Sequence, residues 1–261
     1  MRPFVRSAEP DGPAHPVPIV LVHGAWHGAW CWEERAVPGL VAAGFRVHAV
    51  DLRGHGRSSN PRSLRRTRID HYVEDLESVV ASIAEPVVVV GHSMGGLVVQ
   101  HYVARHDDVA GAVLLCSVPV GGVLGATLRI ARRHPIAFLM ANLRLRLWPI
   151  VADADRAAGL FLRDGTDPAA AEAFGARLQD ESYLAYLDML LFRRPRPADV
   201  GVPVLVVGAT GDRIFSVEEQ ERTAAAYGAE GVLVAGAPHD IMLDPAWEHA
   251  QAAIVDWIDD L

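Results

Sequence analysis

The chain has 261 residues, 51% apolar and 21% charged, which excludes a disordered or low-complexity protein and allows one large domain or two small ones. Its formal net charge of −8 argues against general nucleic-acid binding, which needs a basic surface. All 24 basic residues are Arg, so a Schiff-base lysine, a P-loop lysine and a Ser–Lys nucleophile pair are excluded.

The first eighteen residues hold five prolines and no apolar h-region, so no secretory leader is expected. Phe4–Arg6 is a candidate edge strand. Wholly apolar runs then recur at Ile19–Val22, Val47–Val50, Val87–Val90, Val113–Cys116, Val204–Val207 and Val232–Val234. Apolar residues on consecutive positions suit strands covered on both faces, as in a parallel sheet of about six strands. Between them, Tyr72, Leu76, Val79, Val80 and Ile83 share one helical face, and Thr67 with Asp70 resembles a capping box that starts that helix. Leu97–Ala104, Val217–Tyr227 and Pro245–Ile258 read as further helices, with Pro245 in the first turn of the last. This alternation of strand and helix predicts an α/β fold.

The alternation stops between 118 and 199. Ile136–Leu147, Asp155–Leu162, Pro168–Gln179 and Ser182–Phe192 read as helices there, and the block is too long for a loop. It is expected to be an inserted helical cap, or lid, over a core made of residues 1–117 and 200–261. Cys31 and Cys116 make no disulfide framework, and no apolar run reaches the length of a membrane span. A soluble cytoplasmic protein is expected.

The strongest local signal is Gly91-His-Ser-Met-Gly95, which follows an apolar strand and opens a helix. A serine on so sharp a turn takes a strained backbone, and Gly91 and Gly95 leave room for the neighbouring strand and helix. The turn lifts Ser93 Oγ above the carboxyl end of the sheet, with the helix N-terminus behind it favouring developing negative charge.

With Val22-His-Gly-Ala25 after the first strand, Asp51-Leu-Arg-Gly-His-Gly-Arg-Ser58 after the second and the late His239, this elbow resembles the α/β-hydrolase superfamily over nearly the whole chain outside the cap. The resemblance implies the order nucleophile, acid, base, which Ser93, Asp212 and His239 follow. It also implies an oxyanion hole made by the backbone N–H groups of Met94 and Ala25. Asp212 ends a strand, from which a carboxylate reaches the histidine ring. Asp240 and Asp244 are rivals; Asp240, adjacent to His239, should point away from its ring. His23 is expected to anchor a loop, and His55 and His92 to be structural.

His23-Gly-Ala-Trp-His-Gly-Ala-Trp-Cys-Trp32 narrows the resemblance to plant methyl-ester hydrolases and hydroxynitrile lyases and their bacterial relatives. The match is partial. Arg53-Gly-His-Gly-Arg57 follows the general bacterial pattern, and Asp240 stands where the lyases have a lysine, so release of cyanide is not expected. Trp26 should face the pocket, with Trp30 and Trp32 in the core. Phe138, Met140 and Trp148 of the cap, with Ile214 and Phe215, are candidate substrate contacts.

The function implied is a serine hydrolase of hydrophobic small-molecule carboxylic esters, needing no metal or cofactor. Alternatives on the same residues are a thioesterase, a lactonase, C–C bond cleavage, perhydrolysis, or a receptor-like protein with slow turnover. Dehalogenases and epoxide hydrolases of this fold would carry a nucleophilic Asp, against which Ser93 argues. Arg57–Arg68 and Val118–Ala152 each hold five Arg and no acid. They read either as solvent faces or as attraction for an anionic substrate, a thioester carrier or a lipid surface.

Overall fold

The computed structural model describes residues 2–60 and 63–261; Met1 of the amino-terminal segment and Arg62 of the first Arg-rich segment lie outside them. Seven strands form one sheet: β1 Phe4–Ala8, β2 Ile19–Val22, β3 Val47–Asp51, β4 Val88–His92, β5 Gly111–Leu115, β6 Val204–Ala209 and β7 Glu230–Val234. Their order is β1-β3-β2-β4-β5-β6-β7. Strands β2 to β7 are parallel, one from each apolar run, and β1 pairs antiparallel with β3 at the edge, Phe4 opposite Asp51.

The period-2 geometry of a strand sends alternate residues to opposite faces. Val20, Val22, Val50, Val89, Leu114 and Val206 face one core, and Ile19, Leu21, Val47, Val88, Val113 and Leu205 face the other. On the first side pack α2 (Ile69–Ile83) and α3 (Met94–Val103), through Tyr72, Leu76, Val79, Leu97 and Tyr102; on the second packs α1 (Ala36–Ala42), through Leu40. Helix α3 is buried along all ten residues, which is why it carries no polar face.

Between β5 and β6 run six helices: α4 Leu124–Arg133, α5 Pro135–Arg144, α6 Trp148–Val151, α7 Ala154–Phe161, α8 Pro168–Gly175 and α9 Tyr183–Leu187, the last continuing as a π-helical turn over Asp188–Phe192. Helix α10 (Val217–Tyr227) adds to the first face and α11 (Trp247–Asp259) to the second. No helix among the described residues is long and apolar enough to cross a membrane.

Three local expectations are corrected. Arg68, not Thr67, is the N-cap of α2: its N–H donates to His71 Nδ1 at 3.0 Å, while Asp70 pairs with Arg105 and Arg193. Pro245 lies before α11, in a turn where Asp244 Oδ1 accepts from the Ala246 N–H at 2.8 Å. Helix α4 was not among the predicted helices; in it Leu124 and Leu128 are exposed and Ala126 is buried.

The 118–199 block is joined to the rest by buried polar groups. Glu181 accepts hydrogen bonds from the Tyr72 hydroxyl (2.7 Å) and from His55 Nε2 (3.0 Å). Ser182 Oγ donates to the Thr67 carbonyl at 2.6 Å, and Gln179 Nε2 to the Gly54 carbonyl at 2.7 Å. Asp188 receives the Arg68 guanidinium at 2.7 Å and the Ile69 N–H at 3.2 Å.

Candidate active site

Ser93 sits at φ 52°, ψ −116°, between the last residue of β4 and the first of α3. A non-glycine residue at positive φ is strained and persists only where its surroundings impose it. The imposition is visible on both sides: a Cβ on Gly91 would lie 2.4 Å from the Gly95 carbonyl oxygen, and one on Gly95 would lie 2.4 Å from the Val22 carbonyl oxygen. Strand β2, β4 and α3 therefore close on each other only without side chains there. Met94 begins α3, so its N–H lies outside the helical ladder.

Asp212 and His239 follow β6 and β7. Asp212 Oδ2 accepts from His239 Nδ1 at 2.8 Å, while Oδ1 accepts from the N–H groups of Ile214 (2.7 Å) and Phe215 (3.0 Å). Both carboxylate oxygens are thus engaged, and the ring is fixed with hydrogen on Nδ1. His239 Nε2 is buried and has no hydrogen-bond partner among the described residues. Burial works against its imidazolium, but the charge and hydrogen bond of Asp212, joined by Asp240, outweigh burial and raise its pKa above the ordinary value.

The serine elbow and the histidine loop meet through His92, whose Nε2 donates to the His239 carbonyl at 3.1 Å, the two rings lying 4.8 Å apart. His92 is neutral: burial first, then the neighbouring His239, lowers its pKa to about 3. His23 is neutral as well, through burial and then His55. Its Nε2 accepts from the Leu52 N–H at 3.1 Å and its Nδ1 donates to the Gly24 carbonyl at 2.8 Å. It ties the end of β2 to the end of β3.

The Asp240 carboxylate hydrogen-bonds the His27 ring and not the nearby His239 ring. It is buried against His27, with Oδ2 2.9 Å from Nε2, while His27 Nδ1 lies 2.7 Å from the Ala25 carbonyl oxygen. Burial opposes charge on Asp240, but His27 first, joined by His92 and His239, outweighs it and holds the carboxyl below its usual range. Asp244 instead makes two hydrogen bonds with Arg163, at 2.6 and 2.8 Å. The ligand atoms of His92, His239 and Asp240 lie within 4.8 Å of one another, a grouping of the kind that can hold a metal ion. Each has one hydrogen-bond partner, the His239 carbonyl for His92, Asp212 for His239 and His27 for Asp240, while His92 Nδ1, His239 Nε2 and Asp240 Oδ1 are buried without one among the described residues.

Ser93, Met94, Ala25 and Trp26 line a cavity of about 80 Å³ whose wall is completed largely by residues of the 118–199 block. Phe138, Ile214 and Phe215 line it too, but Met140 and Trp148 do not. Helical phase explains the difference. Phe138, Ala141 and Asn142 share one face of α5, from which Met140 is turned away, and Leu147 and Ile150 occupy the wall where Trp148 was expected. Sequence reasoning missed Thr127, Asn142, Tyr183 and Tyr186; extending the Phe138 phase by three and four residues finds Asn142 but not the others. Every lining side chain is uncharged, so the arginines of 118–152 do not reach the cavity. Trp26, at φ 66°, faces it, Trp32 is buried, and Trp30, expected in the core, is only half-buried beneath the Arg177 guanidinium at 4.3 Å.

A serine on a strained turn, a histidine with one free ring nitrogen and a carboxylate behind it can together deliver a hydroxyl to an electrophilic carbon and return its proton to a leaving group. The family described as "Alpha/beta hydrolase family" matches residues 19–256. The chain is 46% identical over 81 residues to Methylesterase 3 of Arabidopsis thaliana, covering 30% of each protein. It is 39% identical over 105 residues to Epoxide hydrolase B of Mycobacterium tuberculosis, covering 40% of this chain and 29% of that one. These alignments span less than a third of either relative's length. Among solved structures, a putative non-heme bromoperoxidase, BpoC, from Mycobacterium tuberculosis shares the fold with a TM-score of 0.79 and 20% identity, covering 100% of this chain and 96% of that one.

Proposed function

The chain belongs to the alpha/beta hydrolase family, and from that premise we propose that it is a serine hydrolase cleaving carboxylic esters of hydrophobic small molecules. Ser93 Oγ attacks the ester carbonyl carbon while His239 Nε2 takes its proton. Asp212 keeps the ring in the required tautomer and stabilises the imidazolium. The N–H groups of Ala25 and Met94 stabilise the tetrahedral oxyanion. Collapse expels the alcohol, which takes the proton from His239, and leaves an acyl group on Ser93. Water, deprotonated by the same nitrogen, then releases the acid.

The observation that carries this reading is the buried Asp212–His239 pair at 2.8 Å, with Nε2 unpartnered beside the elbow that holds Ser93. An apolar cavity free of charged side chains supports a neutral, hydrophobic acyl or alkyl group. The 118–199 block supplies most of that lining and serves as the cap. An Asp-nucleophile epoxide hydrolase, the chemistry the name of one relative suggests, would need a carboxylate where Ser93 stands.

The test is labelling by a fluorophosphonate followed by peptide mapping, alongside turnover of a chromogenic short-chain ester. Labelling at Ser93, lost in Ser93→Ala together with roughly 10³-fold or more of kcat, is the expected result. Labelling at another serine, or full turnover by Ser93→Ala, overturns the assignment. Labelling at Ser93 without turnover of esters, thioesters or lactones would indicate the receptor-like alternative.

A further inference from the structure

The cap turns one side of α4 and α5 to the cavity and the other to solvent, and the solvent side is apolar. Leu124 and Leu128 on α4 are exposed, as are Ile136, Leu139 and Leu143 on α5, with Leu145 just beyond. Ile136 is 78% exposed and Leu143 70%. The spacing Leu124, Leu128 and Ile136, Leu139, Leu143 makes a stripe along each helix. Isolated exposed leucines are ordinary on soluble proteins, but six on two consecutive helices are not.

The same segment, Val118–Ala152, has five Arg and no acid. Arg129 is engaged by Glu219 and Arg146 by Asp180. Arg132, Arg133 and Arg144 are exposed and make no ion pair among the described residues. Apolar side chains flanked by unpaired arginines form a surface suited to an interface that is greasy below and negatively charged above.

We propose that this face of α4 and α5 docks the protein on the surface of an anionic lipid assembly. Leucine and isoleucine side chains enter the boundary between acyl chains and headgroups, while Arg132, Arg133 and Arg144 meet the lipid phosphates. A second copy of this chain fits worse, because a two-fold contact through this face sets the same arginines against one another. Since Ala126, Thr127, Ile130, Phe138 and Ala141 of the same helices line the cavity, the docked face and the pocket wall are two sides of one layer. A hydrophobic substrate dissolved in lipid is thereby brought close to the pocket. The lipid contact stands apart from the ester chemistry, and its test needs no turnover.

The experiment is vesicle flotation of the full chain and of Ser93→Ala, with phosphatidylcholine vesicles with or without phosphatidylglycerol, at low and high salt. Both proteins should float with phosphatidylglycerol vesicles, less so at high salt, and poorly with phosphatidylcholine alone. The double variant Arg132→Glu/Arg133→Glu should bind at least about tenfold more weakly. Ile136→Ser/Leu139→Ser/Leu143→Ser should lose binding while keeping its far-UV circular dichroism and its rate on a soluble short ester. No flotation, equal binding to both vesicles, or variants that bind like the parent overturns the proposal. So does a concentration-dependent dimer in sedimentation velocity that the triple variant abolishes.

Discussion

Asp212 and Asp240 are both buried carboxylates near His239, but each holds a different ring, Asp212 that of His239 and Asp240 that of His27. Asp212 orients His239, and its charge is the main force raising that pKa against burial. Because the base works in its neutral form, the acid limb of kcat/KM should fall above the ordinary histidine value of 6.5. Asp212→Asn should lower kcat by as much as about 10⁴-fold, through the wrong tautomer, and move the residual acid limb to lower pH. A pH–rate profile of the two proteins checks both. Asp240 holds His27, whose other nitrogen faces the carbonyl of Ala25. Asp240→Ala strands a buried ring nitrogen, which should cost about 1–3 kcal/mol in urea unfolding and reduce kcat far less than Asp212→Asn. The carboxyl of Asp240 is held low, so its contribution to stability is present above the usual carboxylate range and lost as pH falls through the lowered value. The elbow was legible in the chain because backbone sterics leave few alternatives there, whereas His239 was picked out of twelve histidines by the position at which the resembled superfamily places its base. The His27–Asp240 pair was not legible, since two residues 213 positions apart carry no local pattern.

At the level of elements, the parallel strands β2 to β6 announced themselves as unbroken apolar runs because both of their faces are covered, while the edge strand β7 showed only the short run Val232–Val234. The 118–199 block was legible as a helical insertion expected to form a cap, but not how it is held to the rest. Its attachment rests on Glu181, a charged residue that sequence alone would put in solvent but that is 2% exposed between Tyr72 and His55. Removing one member of a buried pair leaves the other charge uncompensated. Glu181→Ala should therefore destabilise by about 3–5 kcal/mol, read from the urea midpoint. Burial opposes the charged form of His55, yet Glu181 raises its pKa overall. This contribution is fully present below the ordinary histidine value and is lost as pH rises through the raised one. A stability curve from pH 6 to 9 should slope downward in wild type and flatten in Glu181→Gln.

Across the whole molecule, the cap connection sets two neighbours far apart in the chain: β5 ends at Leu115 and β6, paired with it in parallel, begins at Val204. Ser93 lies before that gap, and Asp212 and His239 after it. No fragment that ends before that gap or begins after it holds all three residues of the proposed site, and activity would report closure of the sheet across the helical 118–199 block. Closing such long-range parallel contacts is slow compared with helix formation. On dilution from denaturant, helical circular dichroism should return first and esterase activity should lag behind it. Simultaneous recovery of the two signals would mean that β5 and β6 join before the helices form. The same separation has a consequence for engineering. Cutting the chain within the 118–199 block would put Ser93 on one fragment and Asp212 and His239 on the other, so that, with the roles proposed above, neither would be active alone and ester turnover would measure their reassociation.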